Sequence, residues 1–455
     1  MLQRLQRLQR LQRLQRPLWI AIYGILLTFS VVATAQDNVG EDSTVVYPSD
    51  YFVEWAPVTA QDMLDRIPGL SGGGGGRSGF SGFRGGGGPP GGFRGGGSGG
   101  RGFGGGSRGS EILINGKRTA GKNNSTGGQL ARITSGQVDY IEIIRGTSGE
   151  LDVRGSGQVI NVVLYDALSS SITQYEVGAQ QSDNNTVTPS GSVSFSGQQG
   201  GLDFQLQARA SDVFFRNISR ENSILGDFSP NDEIYEERAT DGSNSTISAN
   251  LGYEINNKSS ARINAQFTEG EGDNETIRRT TDLKVLPNLN VFQREDSPSE
   301  IENWEIGGDY EYNTERGDRL KILFITNAFT RSSTRERFDI TGINSEDKNL
   351  FLDSGSTTRE RIARGSYTFD IFGGAQDIEI GAERAQTILD SKLALGVRRN
   401  SGTPSDAVGG LVPVAVSNAN SSVEEIRVEP FIIHNWIFSP RMSLETSVLY
   451  EDSEI

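Results

Sequence analysis

From residue 172 onward, apolar and polar side chains alternate with period two, segment after segment. Leu202, Phe204, Leu206, Ala208 and Ala210 alternate with Asp203, Gln205, Gln207, Arg209 and Ser211. Ile247, Ala249, Leu251, Tyr253 and Ile255 alternate with Ser248, Asn250, Gly252, Glu254 and Asn256. After a turn at Asn257-Lys258 the pattern resumes with Ala261, Ile263, Ala265 and Phe267, and it recurs near 303–312, 319–328, 362–371, 377–386, 426–436 and 442–450. Successive side chains of a strand point to opposite faces, so each run reads as a strand with one apolar face. The links between runs are of two kinds. Short turns fall at Gln198–Gly201, Asn256–Ser260, Asn313–Asp318, Gly373–Gln376 and Phe438–Arg441, and long polar stretches lie near 211–246, 268–302, 329–361 and 387–425. Outer-membrane barrels sort their connections in this way, with tight periplasmic turns and long outer loops, and strands of about nine to eleven residues suit a tilted crossing. A water-soluble sandwich, the alternative, has no reason to do so. The expectation is a transmembrane antiparallel barrel over 166–455, with eleven strands from 172–180 to 442–450.

The composition agrees with that reading. Only 35 % of the 455 residues are hydrophobic and 58 are glycine, as suits a wall that is apolar on alternate positions only. Cysteine is absent, which removes disulfides, thiolate metal sites and thiol nucleophiles together. His434 is the one histidine, so neither a histidine-clustered metal site nor a Ser-His-Asp arrangement can be named; it reads as a side chain on one face of a strand. Acid-rich pieces (Asp232-Glu233 with Glu236-Glu237, and Glu269 to Asp273) lack the spacing of a calcium loop and read as solvated loop charge. No enzyme, cofactor or metal is expected. The net charge of −15 is a poor balance for gripping nucleic-acid phosphates.

Residues 1–35 read as an export signal: five Leu-Gln-Arg repeats, an apolar stretch from Leu18 to Val32, then Ala33-Thr34-Ala35 before Gln36. A polar segment, 36–44, follows. Thr59 reads as a helix N-cap with Asp62 in a capping-box position, and Met63, Leu64 and Ile67 form one apolar face up to Pro68-Gly69. Residues 72–109 hold 23 glycines among scattered Phe and Arg, too few side chains to offset the entropy of ordering. Beyond them, Ile112-Leu113-Ile114, Ile141-Glu142-Ile143-Ile144 and Val159 to Leu164 read as strands of a small domain. An Asn115-Gly116 turn follows the first of them, and a short helix around Gln129–Ile133 precedes the second.

The ordered series ILINGKR, LARITSGQVDYIEIIRG and GQVINVVL, with Pro57 to Gly69 upstream, resembles the plug domain of TonB-dependent outer-membrane receptors. The resemblance covers roughly residues 45–165 and implies a mixed α/β plug followed by an all-β barrel of about 22 strands. On that reading the eleven strands present are half of a barrel, and the chain is truncated at Ile455. The function implied is energy-coupled uptake of a scarce ligand (siderophore, cobalamin, oligosaccharide or peptide) across the outer membrane, with TonB, ExbB and ExbD as partners and outer-membrane lipid around the wall. A TonB-coupling segment is implied at Asp42, Ser43, Thr44, Val45 and Val46, working by β-augmentation; the same Val45–Tyr47 also reads as the first plug strand. Glu142 and Arg145 match the family's Ile-Glu-x-Ile-Arg-Gly position and are implied to lock or gate the plug, pairing with one another or with charged groups on the wall. The glycine-rich insertion would sit at the plug apex, where Arg84, Phe93, Arg94, Arg101 and Phe103 could meet an anionic or aromatic ligand. A non-transporting surface receptor or adhesin, and a soluble periplasmic β protein, are the alternatives.

Overall fold

Two β-sheets of opposite character make up the computed structural model, which describes residues 44–68, 111–117, 130, 133–145, 158–165, 170–182, 184–342, 344–372, 376–439 and 442–455. The smaller sheet is formed by the residues that resemble a plug domain, and is called the plug. Its strands are β1 (Thr44–Pro48), β2 (Glu111–Ile114), β3 (Val138–Arg145) and β4 (Gln158–Leu164), in the order β1-β3-β4-β2. β1 and β4 run antiparallel to β3, and β2 runs parallel to β4. Alternation along β3 and β4 separates two apolar layers. Ile141, Ile143, Ile160 and Val162 pack with Phe52, Met63, Ile67, Leu130 and Ile133, while Ile144 and Val159 pack with Leu113 on the other face.

The three expected plug strands are all present, and Val45–Tyr47 fall within β1, the edge strand. The capping box is also present: Asp62 N donates to Thr59 Oγ1 at 3.2 Å, and Thr59 N donates to Asp62 Oδ2 at 2.9 Å. The helix it starts, α1 (Ala60–Leu64), is shorter than the apolar spacing suggests. It gives way to turns over 65–68 that still bury Ile67. Of the short helix expected around 129–133, Leu130 and Ile133 lie within the described residues; Leu130 is helical and Ile133 is in a bend.

The larger sheet is the wall. Its strands are β5 (Ser170–Gln181), β6 (Val187–Gln199), β7 (Leu202–Ile224), β8 (Pro230–Asn256), β9 (Ser259–Asp282), β10 (Leu289–Asp296), β11 (Ser299–Asn313), β12 (Arg319–Gly342), β13 (Ser345–Ile371), β14 (Gln376–Val397), β16 (Asn420–Ser439) and β17 (Met442–Leu449). Two short strands, β15 (Val412–Val414) and β18 (Asp452–Glu454), extend its outer end beside β14 and β16. β10 and β11 share the row between β9 and β12, interrupted at Ser297-Pro298, so the sheet has the eleven rows counted in the sequence. Neighbouring rows are antiparallel hairpin partners throughout, and β5 and β17 are the two edges of the sheet.

Most of the expected long outer loops are not loops. Three of the four polar stretches are mostly strand: β7 and β8 stay paired from Leu202↔Tyr253 out to Ile224↔Pro230, and β12 and β13 from Arg319↔Thr368 to Gly342↔Ser345, whereas the fourth does hold a long link, 398–419, between β14 and β16. The acidic residues 232–237 and 269–273 likewise lie on β8 and β9. The physical reason is that apolar alternation is required only where one face meets lipid. Beyond that level both faces meet water, and the ladder continues through Thr, Ser, Arg and Glu tied by cross-strand ion pairs, such as Arg216–Glu237 at 2.7 Å and Lys348–Glu336 at 2.6 Å. The 27 residues of β8 extend roughly 90 Å at about 3.4 Å each, far more than an apolar band of about 25 Å needs.

The outer end of β10–β13 is held by charge. Arg294 donates to Glu346 at 2.7 and 3.0 Å and also to Asp296. Hydrogen bonding from Arg294 holds the Glu346 carboxyl below its ordinary range. Burial pushes Asp339 up, but hydrogen bonds from Gln293 and Asn349 and the charges of Arg398 and Arg337 outweigh it, and its carboxyl is also lowered. A carboxylate lowered in the folded state contributes stability above its unfolded pKa and loses it as pH falls through the folded value. Amides of 289–296 and 345–350 are therefore expected to keep their hydrogen-exchange protection at neutral pH and lose it below about pH 4. Arg294→Ala should raise exchange at neutral pH and flatten the pH dependence; a flat profile in the unsubstituted chain would contradict the assignment.

Candidate functional site: the plug–wall interface and the charged inner wall

The wall is turned inside out relative to a soluble sheet. On β8 the exposed side chains include Ile247 (63 % accessible), Leu251 and Tyr253, while the intervening Ser248 is buried at 3 %. The same face carries exposed Val193, Phe195, Leu206, Ile263, Ile306, Ile322, Phe324, Ile380 and Ile432 on neighbouring strands. The opposite face buries Asn264, Glu305, Asp309, Asn327, Arg364, Glu383 and Arg427. Exposed apolar residues facing outward and buried charge facing inward match a lipid-embedded wall around a polar interior.

Against that inner face sits the plug. Asn115 (φ 50°) and Gly116 (φ 72°) make the tight turn after β2, as the Asn-Gly pair predicts. The turn is braced from β4: Gly116 N donates to Asn161 Oδ1 at 2.7 Å, and Leu164 N donates to Asn115 Oδ1 at 2.8 Å. It presents Lys117, whose Nζ donates to Ser260 Oγ at 3.0 Å and lies 3.8 Å from Glu254 Oε1 on the wall. A second tether runs from Ser196 Oγ on β6 to Gln137 Oε1 of the plug at 3.2 Å. Between plug and wall remains a cavity of about 210 Å³, lined by Lys117, Gln137 and Tyr165 on one side and Gln205, Asn250 and Arg262 on the other. Arg262 is fixed by Asp309, with Nε and Nη2 at 3.0 and 2.8 Å from Oδ1. Among the described residues these contacts are polar, and each is replaceable by water.

Deeper along the wall, β13, β14 and β16 carry an ion cluster. Glu383 is 1 % exposed and accepts from Arg427 Nη2 at 2.9 Å, with Arg364 Nη1 at 3.6 Å. Arg364 also lies 3.7 Å from Glu379, Arg427 lies 3.5 Å from Glu429, and the Arg364 guanidinium stacks over the Phe431 ring at 4.2 Å. Three carboxylates thus surround two guanidiniums on a buried face. Glu305 on β11 is a further inward carboxylate, at 0 % exposure.

The residues singled out in the sequence are distributed as follows. Glu142 lies on β3 and accepts from Asn161 Nδ2 at 2.6 Å, inside the plug. Arg145 ends β3, and strand alternation sets positions 142 and 145 on opposite faces of it. Thr44, Val45 and Val46 pair with Ile144, Ile143 and Glu142 in β1. Asp42, Ser43, Arg84, Phe93, Arg94, Arg101, Phe103, the insertion 72–109 and the export signal lie outside the described residues. His434 is on β16, with Nε2 at 2.9 Å from Gln376 Oε1. The inner-wall cluster was missed. Its signal was present, since the polar positions of 377–386 and 426–436 hold Asp, Glu and Arg where earlier strands hold Ser, Asn and Gln.

No protein-family model matches the chain, and no characterised protein matches it in sequence. Solved structures do match. The ferric-catecholate import receptor Fiu of E. coli, in its open form, is 10 % identical over 90 % of this chain and 69 % of its own, with a TM-score of 0.34. The ferric citrate transporter FecA is 11 % identical over 76 % of this chain and 65 % of its own, with a TM-score of 0.27. The ferric yersiniabactin uptake receptor FyuA of Yersinia pestis is 9 % identical over 87 % and 64 %, with a TM-score of 0.29. The chain spans about two thirds of the length of these proteins, and such low scores mark a likeness without residue correspondences. By its own strands and registers, the chain has a small four-stranded mixed sheet followed by a large antiparallel sheet of hairpin-linked rows, the two-part architecture that its sequence resemblance to TonB-dependent receptors implies.

Proposed function

We propose that this chain is the plug and part of the barrel wall of an outer-membrane, TonB-dependent uptake receptor. The observation that carries the reading is the inversion of the wall: exposed Ile247, Leu251, Ile322 and Ile432 on one face, buried Glu305, Arg364, Glu383 and Arg427 on the other. A soluble sheet with those faces would place its charges in its core and its apolar surface in water, at a cost on both counts. Inside a bilayer the same arrangement is favourable. The role is one of binding and transport, without bond chemistry. A scarce ligand of the siderophore, cobalamin, oligosaccharide or peptide kind binds at the outer end, and work from TonB, ExbB and ExbD on the N-terminal segment moves the plug. Glu142 and Arg145 are placed in this reading as plug-locking or gating residues, and Asp42 to Val46 as the coupling segment.

β1 sits at the edge of the plug sheet, so a pull on residues preceding it would peel the sheet from one side, breaking the ladder to β3 one pair at a time. The test is photo-crosslinking in cells from a reactive residue introduced at Asp42 or Ser43. An adduct with TonB is expected in the outer-membrane fraction. A protein found in that fraction that never yields the adduct would be a non-transporting surface receptor instead.

A further inference from the structure

We infer that Arg361 and Arg384 form a binding site for the phosphate of a lipid headgroup on the outer surface of the wall; the inference rests on the outer-membrane reading above. Both side chains are exposed, and both belong to the lipid-side face, because Arg384 pairs in register with Ala363 on β13 and Val428 on β16, and Ala363 pairs in turn with Phe324. The rows on the short-turn side of them are apolar: Ile322, Gly365, Ala382 and Pro430, then Leu320, Tyr367, Ile380 and Ile432. On the long-hairpin side the face turns polar, through Arg359, Thr357 and Asp390. The two arginines therefore stand where the apolar band ends, at the level of headgroups in the leaflet on the long-hairpin side.

Their charges are available to a ligand. Arg359, next along β13, is tied to Asp390 at 2.8 Å. Arg361 has only a 3.3 Å hydrogen bond to the neutral Gln386, which itself donates to Glu424 at 2.6 Å. Arg384 has no ion-pair or hydrogen-bond partner among the described residues. Arg361 lies opposite Gln386, two positions from Arg384, so the two are diagonal neighbours, roughly 7–8 Å apart at the backbone and within reach of one phosphate. A guanidinium fork matches a phosphate's oxygens and gives up little hydration to do so. The exposed Phe324 and Val428 in the row of Arg384, and Ile432 on its short-turn side, supply an apolar surface for acyl chains. The opposite sign appears on the same outer face of β9 and β11, where Glu269 faces Glu302 and Glu271 faces Glu300. An anionic headgroup is thus drawn to β13–β14 and turned away from β9–β11.

The test uses the protein purified from outer membranes in non-ionic detergent and stripped of lipid, titrated with bis-phosphorylated lipid A and read by native mass spectrometry. Arg361→Gln/Arg384→Gln is expected to weaken binding at least tenfold with heat-modifiable mobility retained, and Glu269→Gln/Glu302→Gln to leave it unchanged or tighter. Dephosphorylated lipid A should bind the unsubstituted protein as weakly as lipid A binds the double variant. Equal binding by the double variant and the unsubstituted protein would overturn the site. Displacement of lipid A by millimolar inorganic phosphate would overturn the lipid as its ligand. Recovery of the protein in the soluble fraction, seen before any titration, would instead refute the outer-membrane reading.

Discussion

Glu383→Ala is expected to destabilise the wall by about 3–5 kcal/mol, the cost of leaving buried charge without its partner. Glu383 is buried among Arg427, at 2.9 Å, and Arg364, at 3.6 Å, on adjacent strands. Removing its carboxylate leaves Arg364 and Arg427 with only the longer contacts to Glu379, at 3.7 Å, and Glu429, at 3.5 Å, and without the anion between them. The size of the effect comes from that lost compensation, not from the net worth of the ion pair. Replacing Glu383 and Arg427 together by Leu and Met should therefore cost less than the single change, since desolvation of both ions is relieved at once. Urea unfolding followed by tryptophan fluorescence measures both. A single-variant loss under 1 kcal/mol, or a double variant worse than the single, would contradict the cluster as described.

Phe52→Ala is expected to be as damaging, by about 3–5 kcal/mol, but to the other sheet. Phe52 is fully buried at the centre of the plug layer with Met63, Ile67 and Ile141, and its ring meets Tyr51 edge-on at 5.0 Å. Its removal leaves a cavity that a small sheet with a five-residue helix has few neighbours to fill. Because the plug's apolar core is its own and its described tethers to the wall are polar, the plug should loosen while the wall keeps its ladder. The expected result is rapid proteolysis within 44–165, heat-modifiable mobility unchanged, and entry of large antibiotics normally excluded by the outer membrane. A variant whose plug resists protease as well as the unsubstituted chain would remove Phe52 from the core.

Much of the wall was legible because period-two alternation is forced wherever a strand separates lipid from a polar interior. Leu202–Ser211 and Ile247–Asn256 carry it plainly, and turns such as Asn257-Lys258 end it. The same logic hid the outer halves of the strands. From Asp212 on β7 and from Thr268 on β9 both faces are wet, nothing in the sequence distinguishes a paired strand from a loop, and the register alone reveals the ladder. The plug was legible through Asn115-Gly116, the Thr59–Asp62 capping box and three β-rich runs. β1 was ambiguous because Val45–Tyr47 suits either a coupling segment or an edge strand on local propensity. The helix overran because Ile67 belongs to the same apolar face as Met63, although the chain there is already turning. Lys117, Gln137 and Ser196 could not be picked out. Their tethering role depends on a docking between distant segments that no local pattern encodes.

Because the chain lacks cysteine, single cysteines placed on three wall strands test the central claim, that the exposed apolar face meets lipid and the opposite, buried face does not. Asn250→Cys, Leu251→Cys, Asn264→Cys, Ile263→Cys, Leu323→Cys and Ile322→Cys, each labelled with an environment-sensitive fluorophore in reconstituted bilayers, cover both faces of three strands. Quenching by a nitroxide carried on lipid acyl chains should be strong at 251, 263 and 322 and weak at 250, 264 and 323. Equal quenching at neighbouring positions, or none at any, would contradict the membrane wall and with it the proposed function.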